Sequence, residues 1–276
     1  MDSRSERVGG IELYRVLLML GIVGLHVLTT LKPIGRGLDN VLATCVVGFV
    51  FISGWFGIRF SVKKVLKLLS IGLYCGAVAA VFHCWLLRGF SVGGFVDIFW
   101  WNVRCFWFLW AYIALMCMAP MVEQLLSDRE RVKAVVPFLV MIFVWSYLVK
   151  FPVLGEYVPV VQGFGPTGVL TLLAIYCVAR IARLYDIANR IRGRYLALIF
   201  AAGFAGSWVG FYHYNSPFAL MTAFAGFVIF ARMSVARPVA RAAALLSPSV
   251  FSVYLMHTTG VGFEVIKRLG DFSGGG

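Results

Sequence analysis

The sequence predicts an all-α integral membrane protein, a polytopic helical bundle of about nine transmembrane helices with a cytoplasmic N-terminus. The 276 residues are 61% hydrophobic and only 13% charged, with a mean hydropathy of +0.88. A soluble domain is about half apolar and about a quarter charged. The apolar residues also form continuous runs long enough to cross a bilayer, and the basic residues that give a net charge of +13 collect between alternate runs.

Nine apolar stretches of roughly 20 residues each are separated by short polar or basic segments. They cover approximately residues 11–31, 41–60, 67–87, 106–125, 133–150, 165–184, 194–213, 216–235 and 244–266. Residues 1–10 are predicted to form a cytoplasmic tail, residues 11–267 the transmembrane domain, and residues 268–276 a flexible C-terminal tail.

The distribution of positive charge predicts the orientation. With the N-terminus inside, 17 of the Lys and Arg residues fall on inner segments and 7 on outer segments. Cytoplasmic loops of membrane proteins carry such an excess. No basic run is interleaved with aromatic residues as a nucleic-acid groove requires, so no nucleic-acid partner is expected. We therefore expect a multi-pass protein of the inner or plasma membrane, with membrane lipid around it.

Two outer segments are predicted to be the least helical. Residues 89–105 are rich in glycine and aromatic residues, and residues 151–164 contain two prolines. For the tryptophans of the first segment, an interfacial aromatic belt and a re-entrant element over a site are both open.

Ionisable side chains in the first span are the leading candidates for function, because such groups are costly inside a bilayer. At about 100° per residue, Arg15 and His26 lie within about 60° of Glu12 around the helix axis. The step from Arg15 to His26 rises roughly 16 Å, which places Arg15 near the cytoplasmic boundary and His26 in the outer half of the membrane. Structural alternatives are a Glu12–Arg15 ion pair, a snorkelling Arg15 and a His26 that bonds a neighbouring helix. Histidine is also the side chain whose unperturbed pKa suits a general base near neutrality.

Four motifs follow one another along the chain. They are Ile11 to Arg15 followed by Met19 to His26; Phe51-Ile52-Ser53-Gly54-Trp55-Phe56 followed by Lys63-Lys64-x-x-Lys67; Trp107-Phe108-Leu109-Trp110-Ala111-Tyr112 with Pro120; and Ser252-Val253-Tyr254-Leu255-Met256-His257. In this order they resemble the acyltransferase 3 family of integral membrane O-acyltransferases, with its Arg-x10-His signature.

The resemblance implies an O-acyltransferase, commonly an O-acetyltransferase. Such an enzyme takes an acyl group from cytoplasmic acetyl-CoA or another acyl-CoA and places it on a hydroxyl of an envelope carbohydrate, lipid-linked sugar or related acceptor. By family analogy His26 would be the general base, and Arg15, paired with Glu12, would belong to the catalytic set. Arg15 and the three lysines of the second motif, Lys63, Lys64 and Lys67, would suit the phosphates of the donor. No metal is expected.

Further positions are expected to contact the acceptor or to support the site, and they are Ser53, Trp107, Tyr112, Tyr254 and His257. Structural explanations stay open for each of them. Ser53 with the glycine after it suits close helix packing, the two outer aromatic residues suit an interfacial belt, and the last two suit an interhelical hydrogen bond.

Two other functions stay open. One is a transporter or exporter of glycan or lipid intermediates in which Glu12, Arg15 and His26 form a proton or anion path, although the sequence lacks visible repeats and broken half-helices. The other is a shortened, inactive family member, because the family usually has one span more than the nine counted here.

Overall fold

The computed structural model describes residues 3–31, 36–88, 91–148, 168–209 and 216–274, and in these ranges the chain is helical without a strand. The α-helices are α1 Ser3–Leu31, α2 Arg36–Phe56, α3 Val62–His83, α4 Val92–Cys105, α5 Trp107–Leu126, α6 Arg129–Leu148, α7 Val169–Leu184, α8 Ile187–Arg190, α9 Gly193–Val209, α10 Pro217–Arg232, α11 Arg237–Leu246, α12 Val250–His257 and α13 Gly260–Gly274. A π-helical turn, Cys84–Arg88, extends α3, and a 3-10 turn, Ser247–Ser249, joins α11 to α12.

Five helical segments within the described ranges are long and apolar enough to cross a membrane. They are Gly9–Leu28, Gly37–Phe56, Val62–Leu86, Trp107–Leu126 and Arg237–His257, and two shorter apolar helices are Gly193–Val209 and Pro217–Arg232. Large apolar side chains such as Tyr74, Trp85 and Leu198 are exposed on the surface, where lipid rather than water suits them. The prediction of an all-helical, multi-pass membrane bundle is therefore confirmed.

The expectation of little helix in residues 89–105 was wrong, because residues 92–105 form α4. Ser91 caps this helix, since its Oγ accepts a hydrogen bond from the Gly94 N–H at 3.1 Å. The aromatic residues stabilise it from one side, with the rings of Phe95 and Phe99 stacked at 6.3 Å. Residues 151–164 lie outside the described ranges.

The predicted last span, residues 244–266, is not one helix. It is interrupted after α12 at Thr258 and Thr259, whose hydroxyls donate to the carbonyls of Leu255 at 2.9 Å and Met256 at 2.6 Å. The Thr259 hydroxyl also accepts from the Gly262 N–H at 3.2 Å, which caps the new helix α13. This helix packs against α1 and α3, and it includes residues 268–274, which were expected to belong to a flexible tail.

Close contacts at small residues order the bundle around α2, which packs against α1, α7, α9 and α10. Gly21 and Gly48 let α1 and α2 run antiparallel in contact, because the first meets Cys45 and the second meets Leu18. At one end of the bundle, Gly10 meets the backbone of Phe230. We call this end, where α1 begins, the basic end, because the basic connections between α2 and α3, α5 and α6, α7 and α9, and α10 and α11 lie there.

Candidate functional site

Helix α1 joins Glu12 and Arg15 in an ion pair, as their spacing predicts. Arg15 Nη1 donates to both carboxylate oxygens of Glu12, at 2.8 and 3.1 Å. The two side chains are partly buried, with 34% of Arg15 and 18% of Glu12 exposed. The carboxylate thus fixes the guanidinium in place and leaves its other N–H groups free of bonds to the described residues.

Arg15 also lines a cavity of about 300 Å³ between α1, α2, α3, α5 and α12, which we call the Arg15 cavity. The residues around it are Arg15, Ile22, Val46, Phe49, Ile52, Ser53, Leu68, Phe108, Tyr112, Ser247, Val250, Phe251 and Tyr254. Four of these residues were predicted as site residues, one from each of the four motifs, and they are Arg15, Ser53, Tyr112 and Tyr254. The wall is mainly apolar with a few polar groups, which is typical of a site for a small organic ligand.

Polar contacts join the predicted residues on opposite walls of the Arg15 cavity. The Ser53 hydroxyl lies 3.1 Å from the Phe49 carbonyl and 3.5 Å from the Tyr112 hydroxyl. The Tyr112 ring stacks on Phe108 at 6.0 Å, and Phe108 packs edge-on against Tyr254 at 5.5 Å. Ser53 therefore takes part in helix packing and also faces the cavity.

His26 and His257 lie against each other, with 4.9 Å between their ring centroids. The Tyr254 ring, which lines the Arg15 cavity, lies 5.5 Å from the His257 ring, so the histidine pair is one aromatic ring away from the cavity. Phe263 of α13 packs edge-on against His26 at 6.0 Å. The fold has brought the first and the last predicted motifs together at one place.

The hydrogen-bond partner of His257 defines which ring nitrogen carries the hydrogen when the ring is neutral. His257 Nδ1 lies 3.2 Å from the Val253 carbonyl oxygen, and a carbonyl can only accept, so Nδ1 carries the hydrogen in the neutral ring. Nε2 then carries the lone pair. It is buried and has no hydrogen-bond partner among the described residues, which is uncommon for a buried nitrogen. The pair therefore includes a base nitrogen that can accept a proton or a hydrogen bond.

The three lysines predicted to bind the donor do not line the Arg15 cavity. Lys63, Lys64 and Lys67 are exposed in the first turns of α3 at the basic end. Lys64 Nζ donates to the Arg59 carbonyl at 3.3 Å. Trp107 is also outside the cavity wall, although it packs edge-on against Phe108 at 5.6 Å. These side chains lie around the site rather than in it.

One polar cluster was not predicted. Glu123 of α5 accepts hydrogen bonds from Tyr176 Oη and Arg180 Nε of α7, each at 2.8 Å. The Tyr176 hydroxyl in turn accepts from the Ile58 N–H at 3.0 Å. This cluster holds the end of α2, where Gly57 turns the chain with a φ of +76°. The available signal was Glu123 itself, the acidic residue inside the predicted span 106–125.

No group of three or more His, Cys, Asp or Glu side chains that could hold a metal occurs in the part of the chain that the structure describes.

A family model described as an acyltransferase domain matches residues 8–266, nearly the whole chain. The match includes all four motifs. Comparisons with curated proteins and with solved structures give no match.

Proposed function

Because the chain belongs to this acyltransferase family, we propose that it is a membrane O-acyltransferase that moves an acyl group, most simply acetyl, from cytoplasmic acyl-CoA to a hydroxyl of a cell-envelope carbohydrate or related acceptor. The observation that carries this proposal is the Arg15 cavity, which has a fixed guanidinium in its wall and the histidine pair one ring away.

The donor enters this scheme from the basic end. Arg15 presents N–H groups that Glu12 does not use, and these bind a phosphate of the donor. The exposed lysines of α3 attract the polyanionic donor towards the bundle without holding it. The apolar wall of the Arg15 cavity then accommodates the flexible arm and the acyl thioester.

Transfer takes place at the histidine pair. His26 takes the proton of the acceptor hydroxyl while the hydroxyl oxygen attacks the thioester carbonyl carbon. The new C–O bond forms as the C–S bond breaks, and the protonated imidazole gives its proton to the departing thiolate. His257 donates from Nδ1 to the Val253 carbonyl, which fixes its ring beside His26, and the lone pair of its Nε2 is available in the site.

The acceptor approaches from the opposite side of the site. Tyr112 and Tyr254 line the wall beside the histidine pair, and Trp107 lies next to that wall. Aromatic and hydroxyl groups of this kind suit a sugar ring, because they offer a flat apolar face and hydrogen-bonding tips.

Nine spans, a cytoplasmic N-terminus and a location in the inner or plasma membrane belong to the same proposal. The positive charge of the basic end supports the orientation. Arg15 and His26 are roughly 16 Å apart along α1. An acyl group that moves from the level of Arg15 to that of His26 therefore passes from the cytoplasmic boundary into the outer half of the membrane.

A transporter of glycan or lipid intermediates is the second candidate. The observation that favours it is the break at Thr258 and Thr259, because interrupted helices beside a buried site are common in transporters. Movement of a substrate without any acylated product would support the transporter. The absence of both transport and acyl transfer would support an inactive family member.

The test is transfer of labelled acetyl from acetyl-CoA in membranes that contain the full chain. His26→Ala and Arg15→Ala are each expected to abolish transfer. His83→Ala is the matched control, because His83 also lies on an apolar helix but belongs neither to the histidine pair nor to the wall of the Arg15 cavity. Unaltered transfer in the His26 variant would contradict the mechanism.

A further inference from the structure

A second cavity, of about 590 Å³, lies at the basic end between α1, α2, α7, α8 and α10. Three guanidinium groups line it, those of Arg183, Arg192 and Arg232, and no carboxylate is among its lining residues. We call it the arginine cavity. Arginine is the side chain best suited to bind phosphate, because its planar fork of N–H donors matches phosphate oxygens.

Two of the three guanidinium groups are held in place by the fold. Arg232 donates to the Ile191 carbonyl at 3.0 Å and also to the Ala188 carbonyl, which ties α8 to α10. Arg183 lies over the Trp55 ring, with 5.4 Å between the guanidinium carbon and the ring centroid. Such fixed groups lose little conformational entropy when a ligand binds.

The third guanidinium group is available. The Arg192 side chain is exposed and makes no hydrogen bond or ion pair with any residue in the described ranges. Two acidic side chains bond to residues of α7 and α8, but neither lines the arginine cavity. Asp186 accepts from the Asn189 side chain at 2.6 Å, and Glu123 pairs with Arg180. Three arginines and no carboxylate line the arginine cavity, so its wall is positively charged and attracts an anion.

The arginine cavity and the Arg15 cavity are neighbours along two helices. On α1, Ile11 lines the first and Arg15, one turn later, lines the second. On α2, Trp55 lines the first and Ser53 lines the second. A ligand with a phosphorylated head and a long flexible arm can therefore occupy both, with the head among the arginines.

We propose that the arginine cavity binds the phosphorylated nucleotide end of the acyl-CoA donor, an inference that rests on the proposed function. Its volume lies within the range of about 300–1,000 Å³ usual for small-molecule sites. The chemistry it recognises is a phosphate-bearing anion, which an anionic lipid headgroup also offers. The adjacent Arg15 cavity favours the nucleotide, because the acyl thioester must reach that cavity.

The test uses the purified full chain in phosphatidylcholine nanodiscs and adenosine 3′,5′-bisphosphate as the probe. Its affinity is measured by calorimetry for the wild type, Arg192→Gln and Arg183→Gln. Each variant is expected to bind the probe about tenfold more weakly, because a charge-assisted hydrogen bond is lost. Arg190→Gln is the matched control, since Arg190 lies on α8 but does not line the cavity, and it is expected to stay within about twofold of the wild type.

Unchanged probe affinity in both variants would overturn the proposal, as would an equal loss in Arg190→Gln, which would mean that only general surface charge matters. A second arm replaces part of the phosphatidylcholine with an anionic lipid. If Arg192→Gln weakens lipid binding but leaves probe binding unchanged, the site belongs to a headgroup and the nucleotide assignment is wrong.

Failure of this proposal and failure of the proposed function give different results. Probe binding that depends on Arg192, without acyl transfer from any donor, would keep the site and refute the transferase. Acyl transfer with a KM for acyl-CoA unaffected by Arg192→Gln would keep the transferase and refute the site. If both hold, Arg192→Gln raises this KM about tenfold with kcat little changed.

Discussion

Gly54 of α2 packs directly on the backbone of α7, and Gly54→Ala tests that contact. A Cβ at this position would lie 2.8 Å from Ala179 Cβ and 3.0 Å from Tyr176 Cα, and closer still to the Tyr176 carbonyl oxygen. Carbon atoms in ordinary contact are about 3.5–4.0 Å apart, so α2 and α7 must separate by at least about 0.5 Å. Forced overpacking of this kind costs about 1–3 kcal/mol.

The separation also affects the site, because the Ile58 N–H to Tyr176 hydrogen bond joins the turn after α2 to α7 and Ser53 of α2 lines the Arg15 cavity. We therefore expect Gly54→Ala to lower the unfolding temperature and the transfer rate together. The matched control is Gly93→Ala. Gly93 lies in α4 with nothing within 4 Å of an added Cβ, so alanine there is expected to be neutral or to stabilise by up to about 1 kcal/mol.

Thermal unfolding is measured in detergent with a thiol-reactive dye, because Cys75, Cys84 and Cys177 are buried and become reactive when the bundle opens. Transfer is measured with labelled acetyl-CoA on the same preparations. An unfolding temperature for Gly54→Ala equal to that of the wild type would refute the close packing of α2 on α7.

Three other substitutions have defined outcomes. Glu12→Gln is expected to slow acyl transfer about tenfold rather than abolish it, because the amide oxygen still accepts one bond from Arg15; initial rates that match Arg15→Ala would contradict this. Tyr176→Phe is expected to cost about 1–3 kcal/mol in thermal unfolding, because the Ile58 N–H loses its acceptor, and an unchanged midpoint would rule that out. His257→Ala is expected to lower kcat about 100-fold with little change in the KM for acyl-CoA, because His257 positions His26 and does not bind the donor. Steady-state kinetics that show only a raised KM would argue against the histidine pair.

Helical periodicity was sufficient to predict the contact between Glu12 and Arg15. The Glu12–Arg15 ion pair follows from spacing within one helix, and spacing of this kind does not depend on the rest of the fold. The family resemblance brought in Ser53, Tyr112 and Tyr254, which all line the Arg15 cavity. Their meeting in one place required helices that are far apart in the sequence.

Features that depend on contacts between distant segments, or on side-chain hydrogen bonds, were not predictable. The break at Thr258 depends on hydroxyls that turn back to carbonyls, a choice that composition does not reveal. Helix α4 is stabilised by a serine cap and by aromatic stacking, although its glycines suggested irregular structure. The arginine cavity could not be predicted either, because its arginines come from separate segments. In the sequence they appear only as positive charge on the inner side of the membrane.

The histidine pair has a consequence for biosynthesis. His26 lies in α1 and His257 in α12, so the two rings can meet only after almost the entire chain has been made and inserted. The wall of the Arg15 cavity is also incomplete until Tyr254 arrives. A nascent chain that holds only the first helices therefore lacks the complete site, and the proposed acyl transfer can begin only when insertion is nearly finished.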